Sequence, residues 1–275
     1  MARLFGLIGN RSDLSGRLLQ ACSEVLEVAN HSGDPLGWGL GFFQSGEVLL
    51  RRRPSDDRPI VNLAESAAHL RTDLMIGHIR QPRVGSLRTE NTQPFRYRMW
   101  LFAQTGTVMG FAGLEPRLVA SLPEFLRRNI RGETDAELCF YLFLSFLHDA
   151  GLLDQPRVPA DGVRSALRAA IALTDQLSAE EGHGPNVGEV VVSNGEHLVA
   201  VHRGGRLGLQ EVSGKRAVEE LLGPDSRAAP IANADQTHYT LIASELDALP
   251  TGWTSVERRV IVTATRDAPP QIEDL

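Results

Sequence analysis

The chain opens on a short continuous apolar run, Arg3 to Gly9 (RLFGLIG), that predicts a buried strand. Residues 14–29 place Leu14, Leu18, Leu19, Val25, Leu26 and Val28 at helical spacing and predict a helix. After the turn-rich stretch HSGDPLG, the runs GWGLGFF and EVLLRRR flank Gln44-Ser45-Gly46 in the pattern of a β-hairpin. Residues 60–71 read as helical and DLMIGHIR as a buried strand. A long polar loop is expected from Gln81 to Arg98, and MWLFAQTGTV as a further strand. The middle of the chain is helical. Thr134-Asp135-Ala136-Glu137 is a capping-box pattern. It opens a helix, LCFYLFLSFL, that is apolar nearly all round and so must be buried on most sides. A second helix is predicted over 161–180. Strands return in GEVVVSNGEHLVAVHR, where Asn194-Gly195 predicts a hairpin turn of the primed type. YTLIASE and VERRVIVTAT follow as strands. The stretch 223–237 reads as a surface loop, and the tail from Pro269 is expected to be loose.

Strands first, helices in the middle and strands last predict two sheets sandwiched by helices, an α+β architecture. The order argues against a regular βαβ alternation and its doubly wound parallel sheet. No internal repeat divides the chain, and residues 1–275 are expected to form a single domain.

Composition narrows the function class. A net charge of −6 and a pI near 5.8 argue against a general nucleic-acid binder. The basic run Arg51, Arg52 and Arg53 is followed by Asp56 and Asp57 and reads as the solvated end of a strand. Cys22 and Cys139 sit in apolar helical contexts without zinc or disulfide spacing, which fits a reducing cytoplasm as the expected location. The apolar run Leu4 to Ile8 is too short for a signal-peptide core or a membrane span, so no membrane association is expected. His31, His78, His183 and His202 show no metal spacing, and neither a metal nor another cofactor is expected. There is no G-x-S-x-G elbow, and the glycines of GWGLG are not followed by a dinucleotide-type helix.

Four segments carry candidate chemistry together: MARLFGLIG, then IGHIRQPRVGSLRTENTQPF at 76–95, WLFAQTGTV at 100–108 and RGETDAEL at 131–138. With G-W-G at 37–39 and A-S-E at 243–245, they resemble a class II glutamine amidotransferase of the N-terminal nucleophile hydrolase type. The resemblance is to the stand-alone kind that includes the ergothioneine-pathway amidohydrolase, and it spans nearly the whole chain in the right order. It implies a four-layer αββα fold and a set of roles. Ala2 stands where the family has its nucleophilic Cys, so the attacking thiol is replaced by a methyl group. Arg80 matches the residue that grips the α-carboxylate of glutamine, a task suited to the planar fork of a guanidinium. The other reading of Arg80 is an ion pair with an internal acid. Asp135 matches the acid that binds the α-ammonium, although an Asp in a first helical turn is favoured for local reasons too. Gly106 and Thr105 match the Gly and Asn of the oxyanion hole, with Thr105 in the Asn position. Gln104 replaces a His, and so does Gln93, read as a loop-packing feature. Trp38 either lines the pocket or belongs to the core.

The expected function is that of a catalytically silent amidotransferase-like protein. It would bind glutamine, a γ-glutamyl small molecule or a protein partner, and neither nucleic acid nor membrane. The alternatives are an active glutamine or γ-glutamyl amide hydrolase represented as a Cys-to-Ala variant, and an interaction module with a closed pocket. A single replacement explains Ala2 but not Thr105 and Gln104, which favours natural loss of catalysis. An open or a filled cavity beside Arg80 and Asp135 separates the first reading from the last.

Overall fold

The computed structural model describes residues 2–26, 37–56, 63–80, 85–223, 231–246 and 248–275. Residues 31–36 of the HSGDPLG turn, His31 among them, and parts of the segments 14–29, 60–71, 81–98 and 223–237 lie outside these residues. Among the described residues, thirteen strands form two sheets and every strand pairing is antiparallel.

The first sheet is built from β1 (Arg3–Gly9), β2 (Gly37–Gln44), β3 (Glu47–Arg53), β4 (Leu74–Arg80), β9 (Leu207–Ser213), β10 (His238–Ser244) and β11 (Thr254–Ser255). Its order is β11-β9-β10-β1-β4-β2-β3. The second contains β5 (Phe95–Tyr97), β6 (Trp100–Gln104), β7 (Glu189–Ser193), β8 (Leu198–His202), β12 (Val260–Ala264) and β13 (Gln271–Asp274), in the order β13-β12-β8-β7-β6-β5.

Strand alternation sorts the core into three apolar layers. Phe5, Leu7, Leu40, Phe42, Met75 and Ile79 pack under α1 (Ser15–Ala21), α2 (Ser23–Leu26), α3 (Leu63–Ala67) and α8 (Gly214–Leu222). Leu4, Ile8, Leu74, Ile76, Leu101 and Ala103 fill the space between the sheets. Trp100, Phe102, Val190 and Val192 face α4 (Phe111–Ser121), α5 (Glu124–Arg127), α6 (Asp135–Asp149) and α7 (Ala160–Glu180). The result is the four-layer αββα sandwich that the resemblance implies. α6 lies in the third layer, with Phe140, Phe143 and Leu144 fully covered, as its apolar circumference requires.

Four expectations change in the structure. The helix foreseen over 14–29 breaks at Cys22. There the Val25 N–H bonds to the Cys22 carbonyl, three residues back rather than four, and the chain divides into α1 and α2. The β7–β8 connection is a four-residue loop, because Ser193 pairs directly with Leu198. Ser193 Oγ and Asn194 Oδ1 accept the N–H groups of Gly195 and Glu196, a side-chain-stabilised turn that replaces the expected primed one. The tail beyond Pro269 is not loose. β13 pairs with β12, and Glu273 is held by Arg164 and Arg168 of α7 at 2.7 and 2.9 Å. Within 81–98, residues 95–97 form the edge strand β5.

Gly39 is needed for a close approach. A Cβ there would lie 2.1 Å from the Gln93 carbonyl oxygen, a backbone atom. Gly39→Ala is therefore expected to cost about 1–3 kcal/mol by overpacking and to displace the loop that carries Gln93. Urea denaturation checks the cost, and a stability equal to that of the unmodified chain would remove the argument.

Candidate functional site

The ends of several strands and the first turn of α6 meet around a cavity of about 200 Å³. Its lining includes Ala2, Arg80, Thr105, Gly106 and Asp135, five residues singled out in the sequence. This size lies below the roughly 300–1,000 Å³ typical of drug-sized pockets and suits a molecule on the scale of an amino acid. Strand parity explains the gathering. Ala2 shares the inter-sheet face of β1 with Leu4 and Ile8, and His78 and Arg80 continue the face of Leu74 and Ile76. Trp38 has the parity of Leu40 and Phe42. It packs on the helix-covered side of the sheet, outside the cavity lining.

Arg80 is the last residue of β4 and is 5 % exposed. Its guanidinium donates to the carbonyls of Ser86 at 3.1 Å and Gly85 at 3.5 Å. Burial draws its pKa below the usual arginine value, and the charge of Asp135 opposes that shift. Asp135 follows the N-cap Thr134, whose hydroxyl accepts the Glu137 N–H at 3.3 Å. The Glu137 carboxylate completes the cap by accepting the N–H groups of Arg131 and Gly132. The Asp135 oxygens accept from the N–H groups of Val108 at 2.7 Å and Ala136 at 2.9 Å. Burial pushes the Asp135 carboxyl up from its ordinary value, against these hydrogen bonds and the charge of Arg80. A guanidinium and a carboxyl thus line the same cavity, each under the charge of the other.

Thr105, also in the lining, is held differently. The Thr105 hydroxyl donates to Glu189 Oε2 at 2.6 Å and accepts the Glu189 N–H at 3.1 Å. Glu189 Oε1 in turn lies 3.0 Å from His202 Nδ1, and both side chains are buried. Glu189 and His202 are cross-strand partners in the β7–β8 register. The Thr105 hydroxyl is thereby committed away from the cavity. Gly106 has φ +86°, and a Cβ there would lie 2.1 Å from the Val187 carbonyl oxygen, so the backbone itself demands glycine. Gln93 clamps the end of β6: its side-chain amide donates to the Gln104 carbonyl at 3.0 Å and accepts the Gln104 N–H at 2.6 Å.

Three further residues join the site. Asn91 ties two loops together, donating to the Ser86 carbonyl and accepting the Glu133 N–H. Its signal in the sequence is the E-N pair of ENTQPF. His78 lines the cavity and is 2 % exposed; burial first, then Arg80, holds its pKa down to about 3, so the imidazole is neutral. Glu245, the last residue of A-S-E, also lines the cavity, and burial followed by Glu189 pushes its carboxyl up. Neither cysteine supplies a thiol to the cavity. Both lie outside this lining, and burial pushes both pKa values to about 12. Among the described residues, no cluster of three or more His, Cys, Asp or Glu is arranged to hold a metal ion, and no helix is long and apolar enough to cross a membrane.

Comparison with known proteins places the chain in a family. Probable glutamine amidotransferase DUG3 of Saccharomyces cerevisiae is 29 % identical over 144 residues, covering 50 % of this chain and 40 % of its own length. YafJ of Escherichia coli is 27 % identical over 172 residues, covering 60 % of this chain and 59 % of its own. The chain therefore spans about half the length of these relatives. The solved structure of a glutamine aminotransferase class-II domain protein from Silicibacter pomeroyi superposes with a TM-score of 0.61 at 19 % identity, covering 99 % of this chain and 98 % of the other. The glutamine phosphoribosylpyrophosphate amidotransferase of Bacillus subtilis gives 0.59 at 13 % identity, over 99 % of this chain and 49 % of that one. These two likenesses establish the fold. The profile of the glutamine amidotransferases class-II matches residues 1–215, from Ala2 through Arg80, Thr105 and Asp135 to the Glu189–His202 pair. The chain belongs to the class II glutamine amidotransferases.

Proposed function

We propose that this chain binds glutamine or a γ-glutamyl compound by its α-amino-acid head and does not hydrolyse it. The observation that carries this reading is the convergence of Arg80 and Asp135 on one open cavity whose nucleophile position holds the methyl group of Ala2. A ligand carboxylate would meet the Arg80 guanidinium, and its ammonium would meet Asp135. Both groups are buried, so the attraction is screened less than at the surface. Covalent attack is another matter. It needs a nucleophile within reach of the amide carbon, and alanine supplies none. Thr105 is a second departure, with its hydroxyl turned to Glu189. Two changes in one catalytic apparatus weigh against Ala2 as the lone lesion of an otherwise active hydrolase. The open cavity weighs against a closed interaction module.

A thermal-shift screen with glutamine and γ-glutamyl peptides tests the reading. Ligand at a hundredfold excess over Kd should stabilise the protein by about 2.7 kcal/mol, and Asp135→Ala should abolish the response. Ammonia and glutamate release should stay at the level of a heat-killed control. Release that scales with protein through repurification, or no response to any α-amino acid, overturns the proposal.

A further inference from the structure

The segment that follows β6 carries two consecutive backbone N–H groups with different partners. Val108 donates to Asp135 Oδ2 at 2.7 Å, and Met109 donates to Asn186 Oδ1 at 2.7 Å. Asn186 lies outside the cavity lining and is 5 % exposed. Its side-chain nitrogen is directed to α7, donating to Asp175 Oδ1 at 2.9 Å and to Ser178 Oγ at 3.1 Å. The Asn186 N–H adds a bond to Asp175 Oδ1 at 3.1 Å. Ser178 closes the circuit by donating to the Met109 carbonyl at 3.1 Å, so Met109 is gripped at both its N–H and its carbonyl. Asp175 is itself fixed by the Arg203 guanidinium, and the Arg203 N–H bonds to the Gly188 carbonyl at 3.1 Å. A carboxamide suits the central place in this tether, because it carries an acceptor and two donors on one planar group.

Asp135 depends on that segment. The Ala136 N–H, which it accepts at 2.9 Å, belongs to its own helical turn and moves with it. The Val108 N–H comes from a different element and so fixes the carboxylate relative to the residues after β6, of which Thr105, Gly106 and Thr107 also line the cavity. Burial pushes the Asp135 carboxyl up, and the Val108 N–H comes first among the influences that hold it charged. Peptide planes are rigid, and only one residue's φ and ψ separate the Val108 amide from that of Met109. Releasing Met109 therefore frees the Val108 N–H as well. Resting on the α-amino-acid reading above, we propose that Asn186 is a positioning residue for the ligand ammonium. By tying Met109 to α7 it keeps the Val108 N–H on Asp135, and so holds the carboxylate where the ammonium is to be met. Asn186 itself touches no ligand.

Isothermal titration calorimetry of the whole chain with L-glutamine and with glutaramate, the same molecule without its α-amino group, tests this. The unmodified protein should bind glutamine about tenfold or more tighter than glutaramate, the effect of one hydrogen bond between charged groups. Asn186→Ala should weaken glutamine about tenfold and leave glutaramate within about threefold of its value on the unmodified protein, because only glutamine has an ammonium to offer Asp135. Ser178→Ala removes the hydroxyl that holds the Met109 carbonyl and keeps the test open should Asn186→Ala not fold. It should weaken glutamine alone, by about threefold. Equal weakening of both ligands would show that Asn186 merely supports the fold, and unchanged glutamine binding would show that the tether is idle. Either result overturns the positioning role and leaves the α-amino-acid reading standing. If the unmodified protein binds neither ligand, or does not prefer glutamine, that reading fails and the positioning role falls with it.

Discussion

Ala2→Cys alone will leave glutamine hydrolysis near background, and Ala2→Cys combined with Thr105→Asn will raise it by about 10²–10³-fold over the single variant. The first half follows from the surroundings of the new thiol. A cysteine is nucleophilic only as thiolate, and Glu245, which lines the cavity with Ala2, opposes a second negative charge there. The second half concerns the charge that develops on the amide oxygen. Thr105 offers it nothing, because its hydroxyl hydrogen is held by Glu189 at 2.6 Å. An Asn has two N–H donors. One can replace the bond to Glu189 while the other faces the oxyanion beside the Gly106 N–H, and one such donor is worth roughly 2.7–4 kcal/mol in the transition state. Steady-state kinetics on both variants decide the matter, with mass spectrometry to confirm that the introduced cysteine carries the terminal amine. A single variant already as fast as the double would show that Thr105 is no lesion, and the case for natural loss of catalysis would weaken with it.

The largest expected effect on stability is at Glu189. Glu189→Ala should destabilise the protein by about 3–5 kcal/mol, the usual cost of removing one member of a buried charged network. The side chain is fully buried and serves both Thr105 and His202, so its loss strands two further polar groups and leaves a cavity. Glu189→Gln keeps one acceptor for Thr105 and gains a donor for His202, and should cost much less. Denaturant titration of the two variants provides the comparison. A Glu189→Ala protein within about 1 kcal/mol of the parent would mean that the network carries no net stability, as some buried ion pairs do not.

How much of this was legible in the sequence depends on whether the signal is local. The αββα sandwich came from the family resemblance, and runs such as RLFGLIG and LMIGHIR agree with it, being apolar at odd and even positions alike because both faces of their sheet are covered. Asp135 announces itself through Thr134 and Glu137, all within one helical turn. Arg80 is visible only through the family motif, since nothing local marks a strand-end arginine as a ligand group. The Glu189–Thr105 contact spans 84 residues and depends on which strands are neighbours, so no window of sequence contains it. Glu245 stood in a recognised triplet without a role, because its meaning lies in what it faces. Trp38 could have been placed by parity with Leu40 and Phe42. The strand β13 escaped notice because QIED has little strand character of its own and takes its conformation from its neighbour.

That neighbour gives β13 a meaning beyond the site. β12, VIVTA, is apolar and strand-forming, and every residue in it is buried. Left as the border of its sheet it would offer a row of unsatisfied amides and carbonyls to any extended chain that drifted past. The strand that covers it is largely exposed and carries Glu273 and Asp274, charges that discourage a further strand from adding on. The segment whose composition suggested least structure thus gives this border of the sheet a charged strand in place of an apolar one.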